Sequence, residues 1–377
     1  MKDPRRISKG NLKYSLNEII FLVISAVVSG VNEWETIEIF GQQQIDWLRK
    51  FFPYKKGIPS HDTLSRFFSA LDSQYFSKYF LEWTNSVCQV ANGEVVAIDG
   101  KRMRGSYDTA SGKTAIHIVS AFAAGNNLCL GQVKTQDKSN EITAIPELLE
   151  LLSIKGATVT IDAMGCQKAI AEKILEKNAN YLLAVKDNQQ ELLAQIEKLF
   201  TIQKIENMNK HVDCGHGRVE TRICSVIDDF KFFDDHQDWL GLKSVVKIET
   251  ERYTKITGKT EHQTRYYISS LPADATNLNK AVRSHWVIEN KLHWILDVQF
   301  KEDSSRKRMG NSAANFNIIS NASPWINRKS RNQKKIKTRK ALHGGLWNQF
   351  QRRSTRNFLN AFALGCPSKN SLAQNFV

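Results

Sequence analysis

Between Glu94 and Asn188 the chain alternates β-branched runs with helical ones, and two of the β-branched runs end on an aspartate. The run EVVAIDGKRMRG, residues 94–105, is strand-like and closes on a turn. TAIHIVSAFAAGNNLCLGQVKTQ, residues 114–136, holds two apolar strands about Gly-Asn-Asn, a hairpin signal. Thr143 can then cap a helix, AIPELLELL, with Pro146 tolerated in its first turn. ATVTIDAMG is the next strand, QKAIAEKILEKN the next helix and YLLAVKDN another strand. Strand, hairpin, helix, strand, helix, strand is the order of a mixed α/β sheet whose last strands run parallel.

The flanks differ in texture. Residues 15–90 read as helices: Ser15 caps SLNEIIFLVISAVVSG, EWETIEIFGQQQIDWLRKFF has helical spacing, Ser60 caps HDTLSRFFSALD, and a fourth helix runs through Trp83. Short helices with tight turns fit a helix-turn-helix or a plain helical packing domain equally well. Beyond one helix after residue 191, GRVETRICSVI, KSVVKIETERYT and TRYYISSL read as three strands of a β-rich insertion spanning 191–275. A long helix, capped by Asp274 or Thr276, is expected from about Asn277 to Leu296. The organisation expected is therefore a helical domain over 1–90, an α/β domain over 91–320 and an atypical tail over 321–377.

That tail holds the charge. The chain carries a net charge of +15, yet from Ser304 to Val377 there are 15 Lys and Arg and no acid, so the first 303 residues balance at 38 basic and 38 acidic. A basic tail on a neutral body reads as a contact with a polyanion, DNA or RNA, or as a solvated tail. The six cysteines contain no C-x-x-C pair, which argues against a zinc ribbon and a disulfide framework and fits a reducing cytosol. The amino-terminal segment lacks the apolar core of a signal peptide. The run Ile19–Val28 falls far short of the roughly 18 residues that cross a bilayer, so it is read as a buried helix, with no membrane partner.

Asp99 and Asp162 each follow an apolar strand, at the end where ligands gather in α/β sheets. Either could cap a turn beside Gly, but an unpaired carboxylate at that place costs several kcal/mol, and two on one sheet invite a shared cation. Hard Mg²⁺ takes carboxylate oxygens, and two such ions roughly 4 Å apart clamp the attacking and leaving oxygens of phosphoryl transfer. The third acid is sought in RSHWVIENKLHWILDVQFKED, where His285, Glu289 and His293 share one helical face. Zinc on those histidines fails for want of H-E-x-x-H. GSYDTASGKT fails as a phosphate loop because a strand-like run, not a helix, follows it. Lys101, Arg102, Arg104, Lys186, Asn188, Gln189, His216 and Arg218 flank the acids and could grip phosphates, or be ordinary loop residues.

The runs AIDGKRMRGS, KTQDKSNEITAIPELL, TIDAMGCQ, AVKDNQ, GHGRVETR and HWVIENKLHWILDVQFKED resemble, in order and spacing, the H-repeat-associated insertion-sequence transposases, which are DDE transposases. The resemblance covers about residues 5–320 and includes GIPSHDTLSRFFSALD in the helical opening. It implies a ribonuclease-H-like catalytic core with a β-rich insertion, preceded by a small helical domain. It implies Asp99, Asp162 and Glu289 as the metal-binding triad, two Mg²⁺ ions for which Mn²⁺ can substitute, and nicking followed by strand transfer at terminal inverted repeats. The partners implied are transposon ends and target DNA, with a homodimer at synapsis in a bacterial, nucleoid-associated setting. Two departures stand out. The basic residue that often follows the Glu by seven is Leu296 here, leaving His285 and Lys291 to grip phosphate from that helix. Where the family continues an apolar helix, this chain has NASPWINRKS, with Pro324 set to break it. A reading-frame change near codon 321 accounts for the break and for the acid-free tail. Another two-metal nuclease, and a DNA-binding transposase remnant without catalysis, stay open at this point.

Overall fold

A computed structural model describes residues 13–107, 112, 114–135, 141–215 and 217–338, and of residues 235 and 329–338 the backbone alone. The chain divides into two compact units, one of Met1–Cys88, Arg102–Ile116 and Leu292–Val377, the other of Gln89–Lys101 and His117–Lys291.

The second unit is built on one sheet. Its strands are β1 (Val95–Arg102), β2 (His117–Ala123), β3 (Leu128–Lys134), β4 (Thr158–Ile161), β5 (Asn180–Val185), β6 (Asn207–Gly215), β7 (Arg218–Ile227), β8 (Ser244–Thr254) and β9 (Lys259–Ser269). They lie in the order β3-β2-β1-β4-β5-β9-β8-β7-β6. β1, β4 and β5 are mutually parallel, as the alternation of strand and helix requires. β2 and β3 form the expected hairpin, its turn carrying Asn127 at φ 51°. The region after 191 holds four strands where three were read, and they continue the sheet through the antiparallel pair β5–β9. The unread strand, β6, is NMNKHVDCG at the sheet edge; most of its residues are exposed, and Lys210 breaks the weak alternation of Met208, Val212 and Cys214.

Four helices belong with this sheet: α6 (Glu141–Leu151), α7 (Lys168–Glu176), α8 (Gln190–Ile202) and α9 (Ala275–His285). α6 begins at Glu141, so Thr143 lies inside it and does not cap it, and Pro146 falls in the second turn. Burial of Ala144, Ile145, Leu148 and Leu149 sets the helix phase and outweighs the one backbone bond that Pro146 cannot donate. α9 is capped by Asp274, whose carboxylate accepts from Thr276 N at 2.9 Å and Asn277 N at 3.0 Å. The expected helix to Leu296 is not continuous: a π-turn over Glu289–His293 interrupts it before a last short helix, Trp294–Val298.

The first unit is helical. α1 (Leu16–Val28) starts with a capping box between Ser15 and Glu18. The segment expected as one helix divides at Gln44 into α2 (Trp34–Gln43) and α3 (Ile45–Leu48); α4 (His61–Ala70) and α5 (Ser73–Val87) follow. With α10 for Trp294–Val298, the last element is α11 (Ser312–Thr338), which runs through Pro324 without ending there. Packing overrides the lost backbone bond: Ile319, Ala322 and Ile326 are buried, Trp325 meets the Trp83 ring edge-on at 5.5 Å, and Asn327 donates to Val28 O at 3.1 Å. Among the described residues no helix is long and apolar enough to cross a membrane.

Candidate active site

The parallel register of β1 and β4 runs to Ile98 opposite Ile161, so the next residue on each strand, Asp99 and Asp162, emerges side by side at the carboxyl end of the sheet. Asp99 Oδ1 accepts from Gly100 N at 2.9 Å. Asp162 caps the short 3₁₀ turn that follows it, accepting from Met164 N at 3.1 Å. Burial pushes the Asp99 carboxyl up to about 7, with the charges of Asp162, Glu141 and Glu289 adding to it and the Gly100 hydrogen bond opposing them. Asp162 is also raised, by burial and then by Glu141, against hydrogen bonds from Gly165 and Met164 and the charge of Lys186.

Glu141 is thus a fourth carboxylate of the cluster, and sequence reasoning passed over it. It opens α6, where an acid is commonplace because it complements the helix dipole, so nothing in its local pattern marks it. Its side chain is buried, with Oε1 2.8 Å from His117 Nε2. The pair lies over Gly100, where an added Cβ would strike both the Glu141 carboxylate and the His117 ring. The glycine after Asp99 therefore gives room for a fourth acid as well as a turn.

Asp99, Asp162 and Glu289 line one cleft of about 250 Å³, together with Lys186, Arg265 and His285. Glu289 is exposed at the start of the π-turn, an irregularity common at functional sites. His285 Nδ1 lies 3.0 Å from Thr160 Oγ1 on β4, and burial lowers its pKa to about 4, so the ring is neutral at ordinary pH. The donor set suits a hard divalent cation: carboxylate oxygens, with Lys186 bringing an ammonium group to the cleft. Among the described residues no three His, Cys, Asp or Glu side chains form a ready cage for a metal ion.

The other expected phosphate contacts separate. Asn188 Nδ2 donates to Ala163 O at 2.7 Å and Gln189 Nε2 to Cys166 O at 2.8 Å, so both amides brace the loop after Asp162. Lys101 ends the sheet unit, while Arg102 and Arg104 belong to the helical one, where Arg104 Nε lies 3.7 Å from Asp303 Oδ2. Lys291 is exposed at the π-turn, and Arg218 is exposed at the start of β7. His216 lies outside the described residues.

Two outcomes follow from this geometry. Asp99 ionises near 3.8 when unfolded and near 7 when folded, so the folded state binds more protons between those values and stability falls as pH rises through them. Asp99→Asn is therefore expected to raise the melting temperature at pH 8 in chelator and to do so much less at pH 5; an equal rise at both would contradict the assignment. Gly100→Ala should cost about 1–3 kcal/mol by overpacking. In urea titrations most of that loss should vanish when Glu141→Ala is added, and simple additivity would show that the two residues do not meet.

Comparison with known proteins adds an independent line. Residues 1–84 match the model of the DDE_Tnp_1-associated family and residues 91–323 that of the transposase DDE domain. A relative from Escherichia coli O157:H7 named "Putative transposase YncI" is 46% identical over 311 residues, 81% of this chain and 80% of the relative. "H repeat-associated putative transposase YhhI" of Escherichia coli K12 is 42% identical over 320 residues, covering 82% and 83%. Among solved structures, a piggyBac transposase synaptic complex with hairpin DNA aligns with 97% of this chain and 77% of its own, at TM-score 0.44 and 13% identity. Matched over most of its length by the family's model and by relatives above two-fifths identity, the chain belongs to the DDE transposases, enzymes that break and join polynucleotides.

Proposed function

We propose that Asp99, Asp162 and Glu289 are the catalytic acids of this transposase, acting with two Mg²⁺ ions, or Mn²⁺ in their place, on DNA at the element's terminal inverted repeats. The observation that carries this reading is the gathering of the three acids, distant in sequence, along one cleft. Bound ions there would activate the attacking oxygen and stabilise the leaving one. The chain's own part is to aim the donors. Gly100 N–H and the turn after Asp162 orient the two aspartates, and His117 holds Glu141 against them. Lys186, beside Asp162, offers a point charge to a phosphate entering the cleft. Neutral His285 bonds to Thr160 and keeps the end of α9 on the sheet, so that Glu289 starts its turn from a fixed base.

The strand order β3-β2-β1-β4-β5, with acids on the central pair, supports a ribonuclease-H-like core, and β6–β9 supply its β-rich insertion. Residues 1–90 serve as a DNA-binding helical domain before a catalytic domain over 91–320. The reaction proposed is hydrolytic nicking followed by transfer of the freed 3′-hydroxyl, by a homodimer that synapses two ends in the bacterial cytoplasm. The family match stops at residue 323, which supports a frame change as the source of the tail over 321–377. Translating the neighbouring frames of the gene downstream of codon 321 should restore a family-like continuation; finding none in either frame removes that explanation.

Asp99→Ala, Asp162→Ala and Glu289→Ala are each expected to abolish Mg²⁺-dependent cleavage of the DNA flanking the gene while leaving binding to it intact. Full cleavage by any one of them would sink that residue's assignment. Joining of pre-cut ends to a target plasmid separates transposition from plain nuclease action.

A further inference from the structure

One face of β7, β8 and β9 changes character along its length. Side chains paired across the three strands come in rows on this face: Val226, Val246 and Tyr267, then Cys224, Ile248 and Arg265, then Arg222, Thr250 and Gln263, then Glu220, Arg252 and Glu261. The first rows are buried with Leu278 and Val282 of α9 in one apolar cluster. Past the end of α9 the strands continue, and the rows turn to arginine. The result is a groove of about 840 Å³ whose lining holds five arginines against three carboxylates. It adjoins the catalytic cleft, since Arg265, Tyr267, Trp286 and Glu289 line both.

The groove has a built interior. Glu220 accepts from the buried Arg222 and from Arg252 Nη2 at 3.1 Å, and Arg283 Nη1 stands 3.9 Å away. Burial works to raise the Glu220 carboxyl, but the hydrogen bonds from Arg222 and Arg252 outweigh it and hold it below the usual range. Glu220 thereby fixes the guanidinium groups around it while Arg252 and Arg283 stay 41% and 52% exposed. Arg265 lies over the Trp286 ring at 4.6 Å where groove meets cleft. An ion-pair network serving stability alone would match its charges and bury them; here arginines outnumber acids and their free edges face a concave channel. The reverse face of the same strands mixes signs, with Lys247 Nζ 3.1 Å from Glu249 Oε2.

We propose that this groove carries the sugar-phosphate backbone of the DNA strand leaving the catalytic cleft, with Arg218, Arg252 and Arg283 as its phosphate contacts and Arg265 at the junction. Guanidinium forks suit phosphate oxygens and carry no base code, so the contact is independent of sequence. The proposal rests on the reading of the cleft as a DNA-cutting centre.

The test is fluorescence anisotropy of a labelled duplex of arbitrary sequence with the full chain, in EDTA, over a series of salt concentrations. Arg252→Ala with Arg283→Ala should weaken binding at least tenfold and lower the slope of log K against log salt by about 0.9 per lost phosphate contact. Arg218→Ala lies outside the Glu220 network and should lower the slope by about 0.9 without changing the melting temperature, which guards against misfolding of the double variant. Lys198→Ala, at an exposed position of α8, should bind like the wild type. Wild-type affinity and slope in Arg218→Ala and in the folded double variant would overturn the groove while leaving the cleft reading untouched. A wild type that binds no duplex at all would overturn the cleft reading first, and the groove with it.

Discussion

Four carboxylates share the end of two parallel strands, and their mutual repulsion sets the terms for the structure around them. Asp99 and Asp162 leave β1 and β4 at adjacent positions on the same side, and Glu141 comes in over Gly100. In water such acids would separate and stay charged. Here the strand register forbids separation of the first two, and partial burial removes much of the solvent that would screen them. The fold offsets this with backbone donors from Gly100, Met164 and Gly165 and with the ammonium of Lys186. That compensation is incomplete, as the raised Asp99 carboxyl reports. Divalent cations held there would relieve that repulsion and stabilise the folded state.

Glu289 reaches the same cleft by a different route. Ala281 and Val282 press α9 on the sheet, and the bond between His285 and Thr160 fixes its final turn. Had the helix run on to Leu296 with its ordinary period, Glu289 and His293 would share a face. The π-turn adds a residue to the cycle, so that Glu289 is exposed at the cleft while Leu292 and His293 are buried. The interruption therefore parts a side chain exposed at the cleft from neighbours that pack.

The parts legible in the sequence were those whose signal is local. β-branched runs ending on Asp, a Gly-Asn-Asn hairpin and alternating helices carry their own periodicity, and they specified the parallel strands and the two aspartates. What escaped has non-local causes. β6 is polar because it is an edge, and an edge strand looks like a loop. Glu141 resembles any first-turn acid until the fold brings it over Gly100. Pro324 reads as a stop because its cost is local, whereas the burial of Ala322 and Ile326 and the contact of Trp325 with Trp83 that outweigh the cost are tertiary. The π-turn leaves no mark in a pattern whose apolar spacing at Ile288, Leu292 and Leu296 fits an unbroken helix.

Charge shows the same division most sharply. The first 303 residues carry as many acids as bases, so composition assigns them no affinity for a polyanion and gives all of it to the tail. Yet a polyanion meets a surface, not a sum. Along GRVETRICSVI the side chains of Arg218, Glu220 and Arg222 fall on one face because a strand has period two, and Arg252 and Arg265 arrive beside them through the registers of β8 and β9. Of the acids that share the groove, Glu220 is enclosed as an anchor, and the arginines outnumber the rest. If the tail owes its charge to a shifted frame, this groove is where electrostatic attraction for DNA is written into the folded domain, and net charge was the wrong quantity in which to look for it.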